Sequence, residues 1–185
     1  MPDPGMSYDS WLPDSAIAAP PPDPEVLARL AIARMMLRAV ELGTFPTSVA
    51  ADPDGLGYVG WNVWLWVEDP GPNTWGPVTM SVSEAGYSVT ATATVSHVVW
   101  DMGNGDTITC GAGTRWNARL TRNEPSPDCG YRYQHEGEYQ VTATSHWEVA
   151  WSGIGESGVI PLDLSDTAGF RIAEVQVVNV AVGNG

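Results

Sequence analysis

Apolar and polar residues alternate with a period of two along most of the chain after residue 57, and this pattern predicts β-strands. Residues 78–83 and 87–95 alternate apolar side chains with Ser and Thr, and the turn signal Glu84-Ala85-Gly86 joins them as a hairpin. The predicted strands are 58–67, 78–83, 87–95, 98–102, 107–109, 133–151, 159–164 and 169–180. Because strict alternation leaves one face of a sheet polar, we expect a mainly β fold with one solvent-exposed sheet face.

One amphipathic helix precedes these strands, within residues 23–43. Asp23 can cap free backbone N–H groups, Pro24 suits the first helical position, and Gly43 supplies a usual terminator. The helix itself is expected at residues 24–42. Its broad apolar face needs cover, either from its own sheet or from another subunit, because adaptable Met side chains suit docking surfaces. The candidate docking residues are Leu30, Met35, Met36, Leu37 and Val40.

The remaining segments are arranged around the helix and the strands. Residues 1–22 are rich in Pro and are expected to form an extended tether, and residues 44–57 form a connector interrupted by Pro and Gly. The strand region is expected to span residues 58–181, with a short tail at 182–185. The helical segment carries three arginines, which argues against a membrane span.

The region from Val98 to Val141 carries the most distinctive motif. It opens with Val-Val-Trp-Asp-Met-Gly-Asn-Gly-Asp at 98–106 and closes with Tyr-Arg-Tyr-Gln-His-Glu-Gly-Glu-Tyr-Gln-Val at 131–141. This spacing resembles the PKD (polycystic kidney disease) domain, which has Trp-Asp-Phe-Gly-Asp-Gly and later a Tyr, a Gly and Tyr-x-Val. Here Met102 replaces Phe and Asn104 replaces Asp. The matching residues are Trp100, Asp101, Gly103, Gly105, Tyr133, Gly137, Tyr139 and Val141.

The resemblance covers residues 78–180 and suggests a domain of actinobacterial secreted proteins. It implies an immunoglobulin-like, PKD-like β-sandwich, here preceded by an extended segment and one α-helix. Trp100 is then expected to be the central buried indole, and Asp101 to accept hydrogen bonds from the N–H groups of the turn. PKD-like domains typically mediate protein or carbohydrate contacts, so the resemblance implies a binding or structural role.

Cys110 and Cys129 are the two cysteines of the chain, and a loop of residues 111–128 separates them. They can form a disulfide, a two-thiol metal site or two free thiols. A metal site lacks further ligands at suitable spacing, and the sandwich that the resemblance implies brings Trp100 and Tyr131 close together, which favours the disulfide. A disulfide indicates an extracellular or cell-surface location. The features of a signal peptide are absent from this chain, since residues 1–13 are acidic and polar.

The net charge of the chain limits the kinds of partner that it can bind. Eight basic residues face 22 acidic ones, giving a formal net charge of −14 at pH 7, and a field of this sign repels polyphosphates. Nucleic acid is therefore not expected as a partner. The loop between the cysteines nevertheless concentrates positive charge around an indole, at Arg115, Arg119, Arg122 and Trp116. This cluster is a candidate site for an acidic partner or an anionic polymer, and the alternative is that its arginines pair with nearby acidic residues.

The strand at 58–67 is unusually rich in tryptophan, and its period of two separates two faces. The face that belongs in a core consists of Trp61, Val63, Leu65 and Val67. Trp64 and Trp66 lie on the other face, where two indoles can form a platform for a sugar ring or a partner's side chain. The alternative is that these two indoles pack under the helix.

Motifs for catalysis are lacking. His97, His135 and His146 are scattered, without the i, i+4 pair of a zinc protease, and the sequence has no nucleophile elbow, phosphate loop or dinucleotide fingerprint. Calcium binding by the turn at 101–106 is disfavoured because its carboxylates are few and the turn is short. We therefore expect no enzyme activity, no metal and no cofactor.

Three functions follow as expectations. The first is a non-catalytic extracellular or cell-surface structural or adhesive module that mediates protein contacts or self-assembly. The second is a carbohydrate-binding accessory module, which requires Trp64, Trp66 or Trp116 to be exposed along one face. The third is a phage virion structural protein, in which a helix that docks between subunits is natural.

Overall fold

The computed structural model describes residues 20–175, in which it has one helix and nine strands. In chain order the elements are α1 (Pro24–Met35), β1 (Glu41–Phe45), β2 (Gly57–Tyr58), β3 (Val63–Glu68), β4 (Val78–Glu84), β5 (Tyr87–Asp101), β6 (Thr107–Cys110), β7 (Gly130–Tyr131), β8 (Gly137–Gly153) and β9 (Glu156–Ala173). The predicted mainly β fold is confirmed. Most of the predicted tether, the end of the predicted last strand and the tail lie outside the described residues.

The strands form two sheets that pack together, as in a β-sandwich. The larger sheet has six strands in the order β2-β9-β8-β5-β4, with β6 beside β5, and the smaller sheet has the order β1-β3-β7. β2 and β9 run parallel, and the other paired strands run antiparallel. Long strands with tight connections therefore build the larger sheet, while the smaller sheet gathers short strands from distant parts of the chain.

One face of the six-stranded sheet carries the core. Along β8 the buried side chains occupy every second position from Val141 to Trp151. β5 changes phase at a β-bulge between Val95 and His97, so that Val95 and Val98 both reach the core although their spacing is odd. The apolar face of β3 covers one part of this surface, and α1 packs against β4, β5 and β8.

The helix begins as predicted but ends earlier, at Met35 instead of residue 42. The Asp23 side chain accepts a hydrogen bond from Glu25 N at 2.9 Å, whereas Met36 adopts a left-handed conformation at φ 55°. Asn73 comes from a distant turn, and its side-chain amide donates a hydrogen bond to Met35 O. Its backbone carbonyl oxygen accepts a hydrogen bond from Arg38 N at 2.8 Å. This tertiary contact ends the helix, and the chain continues into β1, paired with β3.

The prediction that Leu30, Met35, Met36, Leu37 and Val40 form one docking surface on a helix is therefore wrong. Met35 is buried against the sheet of its own domain, in a stripe with Leu27, Ala28 and Ala31. Met36, Leu37 and Val40 follow the helix, and of these Val40 is fully buried while Met36 is 72% exposed. Leu30 lies on the outer side of α1 and is exposed. The apolar face of the helix could be covered by its own sheet or by another subunit, and the structure shows it covered by its own sheet.

Two long strands each unite a pair of predicted ones. β5 joins 87–95 to 98–102 through the bulge, and β9 joins 159–164 to the described part of 169–180. β8 pairs with β9 along its whole length, but β2 pairs with β9 only at Ile172 and Ala173. Pro161 therefore lies where β9 has a neighbouring strand on one side only. A sheet tolerates proline at such an edge. β8 begins at Gly137, later than the predicted residue 133.

The motif residues hold one end of the larger sheet. Trp100 is fully buried, and Asp101 accepts a hydrogen bond from Gly103 N at 2.9 Å, the roles predicted for them. Gly103 lies at φ 74°, and a Cβ there would strike the backbone of Gln140. The buried Tyr133 hydroxyl donates to Met102 O at 2.9 Å, and burial raises the pKa of Tyr133 well above its usual range. These contacts fix the turn after β5 against the start of β8.

The predicted disulfide is confirmed: Cys110, at the end of β6, is bonded to Cys129, just before β7. Their Cα atoms lie 5.7 Å apart, and both side chains are buried. Leu65 N donates to Cys129 O at 3.0 Å, and Val67 N donates to Ala112 O at 2.7 Å. The two ends of loop 111–128 are therefore bonded along β3.

We expect Gly43→Ala to lower the free energy of unfolding by about 1–3 kcal/mol, the usual cost of overpacking a filled site. Gly43 is paired with Trp66, and a Cβ on Gly43 would overlap that indole. The indole cannot easily move, because its Nε1 donates to Glu68 Oε2 at 2.6 Å and Gly113 packs closely on the Cα and Cβ atoms from which it extends. Urea denaturation measures the loss.

The control for Gly43→Ala is Gly111→Ala. A Cβ on Gly111 has no heavy atom within 4 Å, so its effect should stay within about 0.5 kcal/mol. Equal losses in the two variants, or no loss in Gly43→Ala, would contradict this account of the packing between β1 and β3.

Candidate binding groove

A groove of about 430 Å³ opens beside the turn that joins β2 to β3. Its walls come from the connector before β2, from this turn, and from loop 111–128. The side chains that face it with chemical function are Asp52, Asp54, Tyr58, Trp61 and Arg122. We call this site the Trp61 groove. Its volume lies within the range of about 300–1,000 Å³ that is typical of small-molecule sites.

The turn between β2 and β3 exposes the indole of Trp61. Trp61 N donates to Tyr58 O at 3.0 Å, and Gly60 occupies the left-handed region at φ 75°. Gly60 N donates in turn to Tyr133 O at 2.9 Å, which ties the turn to the sheet. The Trp61 side chain is 37% exposed, and its ring meets the Tyr58 ring edge-on with centroids 5.1 Å apart. A rigid turn thus presents two aromatic rings at the surface.

The connector supplies the acidic wall of the Trp61 groove. Asp54 N donates to Asp52 Oδ1 at 3.0 Å and Gly55 N donates to Asp52 O at 2.8 Å, so Asp52 folds the connector into a tight turn. Arg171 Nη1 donates to Pro53 O at 3.3 Å, which anchors the connector on β9. The carboxylates of Asp52 and Asp54 both remain exposed.

A network of amides positions the third wall. Asn62 N donates to Asn123 Oδ1 at 2.9 Å, and the side-chain amide of Asn62 donates to Asn123 O at 2.7 Å. Arg132 Nε donates to Asn62 Oδ1 at 2.8 Å, and the Trp64 indole donates to Glu124 O at 2.6 Å. These bonds hold residues 123–124 at the start of β3 and so bring Arg122 to the rim of the groove.

The Trp61 groove combines an aromatic surface with hydrogen-bonding groups of both kinds. The carboxylates of Asp52 and Asp54 accept hydrogen bonds, the guanidinium of Arg122 donates them, and the Tyr58 hydroxyl does both. Leu56, 37% exposed, adds apolar surface. Within residues 20–175 no group of three or more His, Cys, Asp or Glu is arranged to hold a metal ion. The site is therefore suited to binding a ligand that has one apolar face and a polar rim.

The predicted indole platform is wrong. Trp64 is 2% exposed and Trp66 is 7% exposed, so neither offers a face to a ligand. Loop 111–128 and β1 cover them. The Trp64 indole donates to Glu124 O, the Trp66 indole lies against Gly43, and Gly113 packs on the Cα and Cβ atoms of Trp66. They do not pack under the helix either, because α1 lies on the larger sheet.

The predicted arginine and tryptophan cluster is only partly brought together. Trp116 stacks on Phe45 with ring centroids 3.7 Å apart, and Arg115 pairs with Glu68. Both line a second groove with Trp66, which shares Phe45 and Thr47 with the Trp61 groove. Arg119 is exposed and lies outside this groove. Arg115 forms a salt bridge with Glu68. For this residue the structure therefore shows the alternative, in which an arginine of the loop pairs with a nearby acidic residue.

Sequence reasoning missed Trp61 as a surface residue. The period of two, extended back from β3, places Trp61 in the core with Val63, but β3 begins only at Val63. The dipeptide Gly60-Trp61 was the available signal, because a glycine before the first strand residue marks a turn in which alternation no longer holds. Asp52 and Asp54 lay in the connector and carried no motif.

Comparison with known proteins adds no family. The sequence matches no protein-family model, and no curated protein sequence is significantly similar to it. In the part of the chain that the structure describes, α1 is too short and too polar to cross a membrane, and no other helix is present there.

Proposed function

We propose that this chain is a non-catalytic adhesive module of the cell surface or the extracellular space, built on a PKD-like β-sandwich of the immunoglobulin type. The motif residues support the PKD-like assignment, because Trp100 is buried and Asp101 accepts a hydrogen bond from the turn, the two roles that the resemblance implies. The disulfide supports a location outside the cytoplasm.

The ligand that fits best is a neutral oligosaccharide bound in the Trp61 groove. The observation that carries this proposal is the exposed Trp61 indole, held edge-on to Tyr58 in a groove that Asp52 and Asp54 also line. A sugar ring has an apolar C–H face that an indole can cover and a rim of hydroxyl groups that Asp52, Asp54 and Arg122 can hydrogen-bond. The formal charge of −14 disfavours acidic polysaccharides.

Binding without hydrolysis is proposed for the same site. A glycosidase needs two carboxyl groups in different settings, one of them apolar enough to keep its proton. Asp52 and Asp54 are both exposed and belong to one tight turn, so neither has such a setting. The groove thus supports recognition of a sugar and lacks the division of roles that cleavage requires.

Protein contact is the second candidate, and self-assembly and a virion role belong with it. Its support is a set of exposed apolar side chains: Val26 (59% exposed) and Leu30 (40%) on the outer side of α1, and Met36 (72%) just after the helix ends. This patch has less support than the groove, because the main apolar stripe of α1 already packs on its own sheet. The charged residues Glu25 and Arg29, next to Val26 and Leu30 in sequence, are exposed but paired with each other.

We expect the full chain to bind at least one class of short neutral oligosaccharide, among those of glucose, xylose, mannose and N-acetylglucosamine, in isothermal titration calorimetry. The sugar should be recovered uncleaved after incubation. Binding of acidic polysaccharides alone would contradict the ligand class, released sugar would contradict the non-catalytic role, and no binding to any of these sugars would overturn the proposal.

A further inference from the structure

A pair of histidines lies on the polar face of the larger sheet, far from the Trp61 groove. His97 of β5 and His146 of β8 are directly opposite in the strand register, although 48 residues lie between them in sequence. Their rings are stacked, with centroids 4.5 Å apart and planes 14° from parallel. Both side chains are half-buried, and the His146 ring lies beside Asp163 of β9.

The β-bulge in β5 creates this pairing. It places Ser96 as an extra residue beside His97, so that both can lie opposite the single residue His146. The Ser96 hydroxyl then bonds both histidines, with His97 Nδ1 at 2.9 Å and His146 O at 3.1 Å. Bulges often re-aim side chains at functional sites, and this one sets the position of a histidine ring.

The hydrogen bonds fix the tautomer of both neutral rings. Ser96 has one hydroxyl proton and donates it to the carbonyl of His146, so it must accept from His97 Nδ1–H. His146 Nδ1 lies 2.8 Å from Asp163 Oδ1, and a carboxylate accepts the Nδ1–H of that ring. In both rings the Nε2 atom therefore carries the free lone pair.

We propose that His97 and His146 form a two-histidine chelate for a transition-metal ion through their Nε2 atoms. An imidazole whose Nδ1–H is held by a carboxylate or another acceptor is the usual form of a metal-bound histidine. Metal–nitrogen bonds are about 2.0–2.1 Å long and lie along the in-plane lone pairs of the rings. The two rings, stacked with planes 14° apart, must therefore open out of this parallel arrangement for both Nε2 atoms to reach one ion. The remaining coordination positions face solvent and hold water.

The ligand set selects the class of ion. Two imidazoles suit Cu²⁺, Ni²⁺ and Zn²⁺, and the general order of affinity makes Cu²⁺ the tightest of the three. Mg²⁺ and Ca²⁺ prefer oxygen ligands and should not bind here. Asp163 acts as a positioning residue, because it holds the His146 ring through Nδ1 without contacting the ion.

The test is calorimetric titration of the full chain with CuCl₂ and NiCl₂. We expect one ion per chain, tighter binding of Cu²⁺ than of Ni²⁺, and no response to MgCl₂. His97→Gln and His146→Gln should each weaken binding at least tenfold, and Asp163→Ala should weaken it about tenfold. His135→Gln, which alters an exposed histidine away from the pair, is the matched control and should bind as the parent does.

Electron paramagnetic resonance of the Cu²⁺ complex gives a second readout, which reports the ligand atoms and does not depend on the affinity. It should show two nitrogen ligands in the parent protein and one in His97→Gln. Circular dichroism checks that each variant is folded. Unchanged affinity in a folded His97→Gln or His146→Gln, loss of binding in His135→Gln, or the absence of one-to-one binding would overturn the proposal.

Discussion

Trp61→Ala is expected to remove most of the affinity for sugar while leaving the fold intact. Removing a central tryptophan from a binding site typically costs about 2 kcal/mol or more, which corresponds to a loss of affinity of about 30-fold. The indole is 37% exposed and lies outside the buried core, so the loss of stability should be small beside the loss of binding. Calorimetry and urea denaturation measure the two effects separately.

The matched control for Trp61→Ala is Tyr87→Ala. Tyr87 is a large aromatic residue with nearly the same exposed fraction, 38%, at the far end of the larger sheet, near the end of β8 opposite to the Trp61 groove. Its removal should leave sugar affinity unchanged. If Trp61→Ala bound sugar like the parent, or if both variants lost affinity equally, the groove would not be the binding site.

The double variant Cys110→Ser/Cys129→Ser is expected to lower the free energy of unfolding by about 3 kcal/mol, given a sequence separation of 19 residues between the cysteines. The serines also leave polar groups in a buried site. Loop 111–128 holds Asn123 against Asn62, so a looser loop should in addition weaken sugar binding by moving Arg122.

Urea denaturation of parent and double variant measures the loss of stability, and calorimetry at low temperature, where the variant is still folded, measures the loss of affinity. The double variant should lose both stability and affinity, whereas Trp61→Ala should lose affinity with little loss of stability. An unchanged denaturation midpoint would show that the disulfide does not stabilise the fold. Unchanged sugar affinity would show that loop 111–128 does not shape the groove.

The alternation of apolar and polar residues predicted the larger sheet well, because the face on which a residue lies depends only on its position along its own strand. Each residue of β5 and β8 lies on a core or a solvent face, and a period of two records that choice directly. The end of the helix depended on a residue far away. Residues 36–42 favour a helix by composition, but Asn73 caps Met35 and pairing with β3 draws Glu41–Phe45 into a strand. Tertiary contacts overrode local propensity there.

The binding site was harder to predict for a related reason. A period of two separates the two faces of β3 but does not say which of them is covered. The loop closed by Cys110 and Cys129 covers the face that carries Trp64 and Trp66, so β3 is buried on both sides. The one exposed indole of this region, Trp61, precedes the strand, and its partners Asp52 and Asp54 come from a connector without a motif.

The most direct test of the Trp61 groove is a titration of ¹⁵N-labelled protein with the neutral oligosaccharides named above, observed at the indole N–H signals. The chain has nine tryptophans, and Trp61→Ala assigns the signal of interest. Sugar binding in the groove predicts a saturable shift of the Trp61 signal, while those of the buried Trp64 and Trp66 stay nearly fixed. An unmoved Trp61 signal at saturation, or larger shifts at Trp116, would contradict it.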